Sequence, residues 1–128
     1  MVMSETSPPL IGITIDCPDP EAVAAFWQEF LGYERRSDQV HEVGGRYVTL
    51  YKRSGVPGLH HVTFQRVPED KTVKARAHLD VFVKAAGPVM ERMLAAGATT
   101  VEVHEMGEMT TRVLLDPAGN EFCLIGPD

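Results

Sequence analysis

His78 and Asp80 are the two residues whose types and spacing most directly suggest chemistry. They lie two positions apart in Ala77–Val83, a segment in which apolar residues alternate with the others. Side chains two positions apart on a strand share a face, so the Asp80 carboxylate is placed to orient the His78 imidazole as a general acid–base pair. A second interpretation stays open, in which Asp80 caps a backbone amide and His78 is a hydrogen-bonded core histidine.

The stretch Phe64–Asp80, FQRVPEDKTVKARAHLD, holds the best site candidates at its two ends. Gln65 lies at one end, on the polar face of a predicted strand, and His78 and Asp80 lie at the other. The charged middle contains three basic residues, Lys71, Lys74 and Arg76. It is interpreted either as a solvated linker or as a rim that recognises anions.

Two adjacent histidines, His60 and His61, resemble a tandem metal motif within the predicted strand Leu59–Val67. Neighbouring residues of a strand point to opposite faces. We therefore expect that these two imidazoles cannot bind one ion together.

The first half of the chain supplies one strand, one helix and three further strands. Leu10–Asp16 alternates isoleucine with small or polar residues, which predicts a strand with one apolar face. Asp19 and Pro20 are typical of a helix start and Gly32 of a helix end. The helix between them carries an apolar stripe of Val23, Phe26, Trp27, Phe30 and Leu31. Strands are then predicted over Tyr33–Val43, Arg46–Lys52 and Leu59–Val67, with a hairpin turn at Gly44-Gly45.

The second half repeats this order. The strand Ala77–Val83 precedes a helix that has Pro88 near its start and Gly97 at its end. Three strands follow, over Ala98–Glu102, Thr111–Leu115 and Glu121–Ile125. His78 opens its strand at the place that Gly12 has in the first half. The repeat predicts an α+β fold of two βαβββ modules that form a cupped mixed sheet.

The chain length of 128 residues predicts one domain. We expect a flexible N-terminus (1–9) and a single domain (10–128), made of modules 10–67 and 77–126 joined by a connector, 68–76. In each module one sheet face is covered by a helix and the other is bare. Pairing the two bare faces, within one chain or across a dimer, would enclose a cup that suits a small-molecule ligand.

Composition excludes several classes of partner. The net charge of −6 argues against a nucleic-acid surface or an anionic membrane as the partner. No apolar run reaches the roughly 20 residues of a membrane span, and the start of the sequence does not resemble a secretory signal. The two cysteines, Cys17 and Cys123, are predicted to be buried free thiols. Free thiols, with no secretory signal and no membrane span, predict a cytoplasmic protein.

Three segments resemble the vicinal oxygen chelate superfamily, and more narrowly its glyoxalase-like domain branch, related to glyoxalase I, bleomycin-resistance proteins and dioxygenases. They are ITIDCPDPEAVAAFWQEFLGYE, FQRVPEDKTVKARAHLDVFV and LLDPAGNEFCLI. The resemblance covers about Leu10–Ile125. It implies the cupped fold, a homodimer and, in catalytic members, a divalent metal held by residues on the first and last strands of each module.

The metal positions implied by the resemblance are only partly occupied by metal-binding residue types. The second-module histidine falls on His78, whereas its first-module counterpart falls on Gly12. The terminal-strand glutamate falls on Cys123, with Glu121 on the same face, and the fourth-strand position of the first module falls on Gln65. A catalytic site normally needs about three protein ligands, so no metal is predicted with a complete ligand set, although His78 and a Cys123 thiolate suit zinc.

Two functions remain open on this basis. The first is handling of a small oxygenated metabolite, with His78 and Asp80 as catalytic residues. As an enzyme it would be of lyase, isomerase or dioxygenase type, and not a standard glyoxalase I. The second is non-catalytic binding of a small molecule or antibiotic, as in bleomycin-resistance relatives. The predicted ligand-binding residues of the cup are Gln65, Tyr47, Tyr51, Phe82, Cys123 and Glu121.

Overall fold

The computed structural model describes residues 10–36 and 45–128, which form two sheets and two helices. Sheet A has the order β1-β3-β2 and consists of β1 (Gly12–Cys17), β2 (Tyr47–Tyr51) and β3 (His61–Arg66). Sheet B has the order β4-β7-β6-β5 and consists of β4 (Leu79–Phe82), β5 (Thr99–Met106), β6 (Met109–Leu115) and β7 (Glu121–Gly126). Helix α1 (Pro20–Leu31) follows β1, and helix α2 (Ala86–Ala95) follows β4. Neither described helix is long and apolar enough to cross a membrane.

The two modules have the same topology. In each, the first strand pairs in parallel with the last strand, and the other pairs are antiparallel. Among the described residues, Glu34 forms one isolated antiparallel bridge with Tyr51 of β2, on the side where β5 lies in the second module. The rest of the predicted strand Tyr33–Val43, and Gly44 of the predicted turn, lie outside the described residues. The predicted α+β fold of two βαβββ units is confirmed.

Helix α1 begins and ends where its sequence predicts. The Asp19 side chain accepts a hydrogen bond from the Ala22 amide at 3.4 Å, and Pro20 occupies the first turn. Gly32 ends the helix with φ of 67°, a left-handed conformation that glycine adopts without steric cost. The predicted apolar stripe is turned toward the core, where Val23, Phe26 and Trp27 are buried.

Strands β5 and β6 are longer than predicted. The segment between the two predicted strands is not a loop, because both strands continue to Met106 and Met109 and meet in a tight turn. Gly107 has φ of 66° there, which allows the chain to reverse within two residues. Val101 and Val103 alternate with Glu102 and His104, but every residue of β5 is exposed, so no buried face marks the length of this strand.

A single hydrophobic core joins the two modules. Trp27 of α1 contacts Phe122 of β7 edge to face, with ring centroids 4.7 Å apart. The Trp27 indole N–H donates to Asp116 at 2.9 Å, and the Asn120 amide donates to the Asp16 carbonyl at 3.1 Å. These contacts bind the turn between β6 and β7 to the first module and so fix how the two sheets meet.

Candidate functional site

The candidate site lies on the face of sheet B that the helices leave uncovered. His78, immediately before β4, and Asp80, within it, meet through His78 Nδ1 and Asp80 Oδ1 at 3.0 Å. Cys123 of β7 is the register partner of Asp80. One ligand atom from each of the three residues lies within 4.8 Å of the others, so an imidazole, a carboxylate and a thiol converge.

The alternation of β4 and β7 explains why these side chains are together. Cys123 lies between Phe122 and Leu124, which are buried on the opposite, helix-covered face. The side chains of His78 and Asp80 are 43% and 48% exposed, whereas Cys123 is 9% exposed. His78 and Asp80 are therefore accessible to a ligand from solvent, whereas the Cys123 thiol lies deeper in the protein.

Burial and the nearby Asp80 carboxylate favour the protonated form of the Cys123 thiol. Burial raises the pKa of Cys123, and the Asp80 carboxylate raises it further through its negative charge and its hydrogen bond. The Lys74 ammonium opposes these effects and lowers the pKa. A free Cys123 is accordingly a weak nucleophile at neutral pH, because the thiolate is the reactive form.

We predict that Asp80→Asn increases the rate of Cys123 alkylation by iodoacetamide at neutral pH. The substitution removes the negative charge that raises the pKa of Cys123, so a larger fraction of the thiol is ionised. The increase should be clearest at pH values below the pKa of the thiol, where the thiolate is the minor form. Peptide mass spectrometry across a pH series measures the rate at each cysteine separately.

Cys17 provides the internal control for this experiment. It is 2% exposed, and burial, followed by the charges of Asp116, Asp19 and Asp16, raises its pKa to about 11. Its slow alkylation should be unchanged by Asp80→Asn. An unchanged rate at Cys123 in the variant would show that Asp80 does not control the ionisation of this thiol.

Glu121, predicted to bind ligand, anchors the connector. Its carboxylate accepts hydrogen bonds from Lys71 Nζ at 2.6 Å and from the Ala75 amide at 3.0 Å. Burial raises the pKa of Glu121, but the hydrogen bonds from Lys71 and from the Glu121 and Ala75 amides lower it by more, so the net shift is downward. The carboxylate is thus ionised at neutral pH and holds residues 71–75 against the edge of the site.

The remaining predicted residues divide between the two sheets. Phe82 lies on the same face of β4 as Asp80 and is 69% exposed, as an apolar wall requires. Tyr47, Tyr51 and Gln65 lie on the uncovered face of sheet A, where Tyr47 and Gln65 are register partners. The two groups therefore face one ligand only if the uncovered faces of the two sheets are brought together.

The register corrects the position predicted for Gln65. In β1–β3, Thr63 pairs with Thr14, as Cys123 pairs with Asp80 in β4–β7. Thr63, and not Gln65, is therefore the first-module equivalent of Cys123. The position implied by the resemblance lies two residues farther along β3, and the segment before β3 is longer than the segment before β7.

The premise that His60 and His61 point to opposite faces of a strand is wrong, whereas the expectation that they cannot bind one ion together stays a prediction. Their Nδ1 atoms lie 2.9 Å apart, and both rings contact Tyr51. The alternation rule does not apply because His60 precedes β3, which begins at His61. No sequence signal distinguishes this bend from a continuing strand.

The chemistry of the cluster on sheet B fits a divalent ion of zinc type. Imidazole, carboxylate and thiolate are all zinc ligands, and three convergent donors are the number that catalytic zinc sites use. Binding requires the Cys123 thiol to lose its proton, so the raised pKa of this thiol makes the affinity depend on pH.

Comparisons with known proteins agree with this architecture. A family model described as glyoxalase-like domain matches residues 12–125. A comparison with curated protein sequences finds no significant match.

Solved structures share the fold over nearly the whole chain. A glyoxalase/bleomycin resistance protein/dioxygenase family enzyme from Burkholderia phytofirmans PsJN is 20% identical, with a TM-score of 0.69, and the match covers 91% of this chain and 97% of that chain. A glyoxalase-related enzyme from Fulvimarina pelagi is 19% identical, with a TM-score of 0.66 over 92% and 87%. A mutant of the fosfomycin resistance protein FosX from Listeria monocytogenes, complexed with Mn(II) and 1S,2S-dihydroxypropylphosphonic acid, is 17% identical, with a TM-score of 0.70 over 93% and 90%. At these identities the similarity establishes the fold alone.

Proposed function

We propose, from the premise that this chain belongs to the glyoxalase-like domain family of the vicinal oxygen chelate superfamily, that it handles a small oxygenated metabolite at the cluster of His78, Asp80 and Cys123. The observation that carries the proposal is the convergence of these three side chains within 4.8 Å on an open sheet face. An imidazole, a carboxylate and a thiol that converge on an open face offer an acid–base pair and metal-binding donors to one ligand.

His78 and Asp80 act as an acid–base pair in this proposal. His78 Nδ1 lies 3.0 Å from the Asp80 carboxylate, and a proton held on Nδ1 by that carboxylate leaves the lone pair of the imidazole on Nε2. That nitrogen can take a proton from an oxygenated ligand and return it. Phe82, at the other end of β4, excludes water from one side of the ligand.

A divalent ion fits the same cluster, with His78 and Cys123 as the residues that would hold it. When bound, such an ion polarises an oxygen atom of the ligand as a Lewis acid. The Asp80 carboxylate would then serve either as a third metal ligand or as the group that orients His78.

We expect protein purified without chelators to contain about one zinc-type ion per chain, and His78→Ala to lower the affinity for Zn²⁺ more than about 100-fold. Loss of a residue that only hydrogen-bonds to a metal ligand lowers metal affinity about 10- to 100-fold, and loss of the ligand itself lowers it more. Elemental analysis by mass spectrometry measures the content, and competition with a chromophoric chelator measures the affinity.

His104→Ala is a matched control. His104 is also exposed on sheet B and also pairs with a carboxylate two residues away, that of Glu102 at 2.8 Å. This variant should keep the metal content and affinity of the wild type. Equal losses in both variants would show that the ion is bound adventitiously by surface histidines and would overturn the metal-bound form of the proposal.

The second candidate is a metal-free protein that binds a small molecule or antibiotic. The raised pKa of Cys123 favours it, because a protonated thiol is a poor metal ligand. The exposed Phe82 beside the cluster favours it as well, since an apolar wall next to polar groups suits an organic ligand. Absence of every divalent ion from the wild type would select this candidate. The homodimer and the cytoplasmic location stay predictions.

A further inference from the structure

The connector closes a cavity of about 340 Å³ against sheet B. Residues 71–74 form one wall, and strands β5, β6 and β7 supply the other. Val113 of β6, which lines the cavity, is the register partner of Cys123 in β7. Side chains of residues that pair across neighbouring strands lie on the same face. The cavity therefore adjoins the cluster of His78, Asp80 and Cys123 on the uncovered face.

The sheet side of the cavity is mainly apolar. Val113 and Leu115 lie two positions apart on β6 and so share the uncovered face. Val101 of β5 lines the cavity beside them and is 49% exposed. Pockets for small molecules have volumes of about 300–1,000 Å³ and apolar walls with a few polar groups. This wall suits the apolar part of a small organic ligand.

The ammonium of Lys74 is available to such a ligand. Within the part of the chain that the structure describes, Lys74 makes no ion pair. Lys71, the other lysine on the cavity wall, is held by the Glu121 carboxylate at 2.6 Å. Glu102, on the sheet side, lies 2.8 Å from His104. Lys74 is thus the charged group of this cavity that has no partner of its own.

Glu121 determines where the Lys74 ammonium lies. Its carboxylate accepts hydrogen bonds from residues on both sides of Lys74, namely from Lys71 Nζ and from the Ala75 amide. The connector is therefore held against the sheet immediately before and after this lysine. The Lys74 ammonium lowers the pKa of Cys123, so its charge acts on the candidate site.

We propose that this cavity binds the apolar part of a small organic carboxylate and that Lys74 binds the carboxylate group and selects it over a neutral ligand. The inference deepens the proposed function and rests on it, because it assigns a charge class to the ligand of the cluster. Hydrogen bonds between an ammonium and an anionic oxygen are about twice as strong as those between neutral groups. Lys74 can therefore distinguish a carboxylate from the amide of the same shape.

Alkylation of Cys123 tests the charge preference with two reagents of similar size, because iodoacetate is an anion and iodoacetamide is neutral. The ratio of their rates cancels any change in the ionisation of the thiol, which affects both reagents equally. We expect Lys74→Gln to lower the ratio of the iodoacetate rate to the iodoacetamide rate about fivefold, the effect of one charge at about 4 Å in water. Lys74→Arg keeps the charge and should keep the ratio.

Lys84→Gln is the matched control for the loss of one positive charge. Lys84 is also an exposed lysine of the second module, but it lines no wall of this cavity. The ratio at Cys123 should stay at the wild-type value in this variant, as should the ratio at the buried Cys17 in Lys74→Gln. An unchanged ratio at Cys123 in Lys74→Gln, or an equal fall in Lys84→Gln, would overturn the inference.

Protection of Cys123 from iodoacetamide tests the apolar part of the ligand. We expect phenylacetate to slow the alkylation in a saturable way, and neutral phenylacetamide to require an about fivefold higher concentration. Val113→Thr places a hydroxyl on the apolar wall and should weaken the protection several-fold. Val103→Thr is its control, because Val103 pairs with Arg112 on the other face of sheet B. Absence of protection by phenylacetate, or equal protection by the two compounds, would contradict the proposal.

These outcomes are distinguishable from those for the proposed function. A wild type that holds zinc through His78 but shows no dependence on Lys74 would overturn this inference alone. A wild type that depends on Lys74 but holds no divalent ion would support this inference and overturn only the metal-bound form of the proposed function.

Discussion

Asp116→Ala is expected to lower the free energy of unfolding by about 2–4 kcal/mol, because a buried carboxylate that satisfies three donors is removed. Asp116 is 3% exposed. One oxygen accepts from the Trp27 indole at 2.9 Å, and the other accepts from the amides of Ala118 and Asn120 at 2.9 and 3.0 Å. Alanine leaves all three donors without these partners. Urea denaturation followed by circular dichroism measures the loss.

The loss of unfolding free energy in Asp116→Ala should depend on pH. Burial raises the pKa of Asp116 above its ordinary 3.8, and its three hydrogen bonds only partly oppose this. Because the pKa is raised in the folded state, the contribution of Asp116 to stability is complete below its ordinary pKa. The contribution decreases as the pH rises through the pKa of the folded state. The difference between wild type and Asp116→Ala should therefore be larger at pH 4 than at pH 7.

Asp70→Ala is the matched control, since Asp70 is an exposed aspartate of the connector. Its stability should lie within about 0.5 kcal/mol of the wild type. If Asp116→Ala were equally mild, the hydrogen bond between Trp27 and Asp116 would not be holding the modules together.

Phe122→Ala is expected to cost about 3–5 kcal/mol, because it opens a cavity at the contact between the two modules. Phe122 is 1% exposed, and its ring packs edge to face against Trp27 and Phe26, with centroid distances of 4.7 Å and 6.1 Å. Because one core serves both modules, unfolding should remain a single transition. Fluorescence of Trp27, the only tryptophan, and circular dichroism should give coincident curves.

Phe82→Ala controls for the chemical change. Phe82 is a phenylalanine of the same sheet, but it lies on the uncovered face and is 69% exposed. Its removal should change stability by about 0.5 kcal/mol or less. Equal losses in the two variants, or two separate transitions in the wild type, would contradict a shared core.

The fold could be predicted from the sequence because its signals are local. The caps of α1, at Asp19 and Gly32, and the alternation in β1 and β4 report directly on hydrogen bonding and on burial within short segments. The repeat of these signals then predicted two modules. The length of β5 was the exception, since an edge strand that is exposed at every residue has no buried face to mark where it ends.

The candidate site could be predicted only in part. His78 and Asp80 are two residues apart, so the geometry of one strand places them together. The roles of Glu121 and Gln65 depend on contacts with residues that are distant in the sequence. Glu121 is held by Lys71 of the connector, and Gln65 lies two residues beyond the equivalent of Cys123. No spacing along the chain encodes either fact.

The sequence by itself determined the two modules, the position of His78 and the glycine at position 12, because each follows from residue types and from a period of two along a strand. The tertiary structure decided what surrounds them. It brought Cys123 to Asp80, and it laid the His61 ring over Gly12. The paired residues are 43 positions apart (123 − 80) and 49 positions apart (61 − 12) in the chain. Only the parallel register between their strands, fixed by backbone hydrogen bonds, sets which side chains meet.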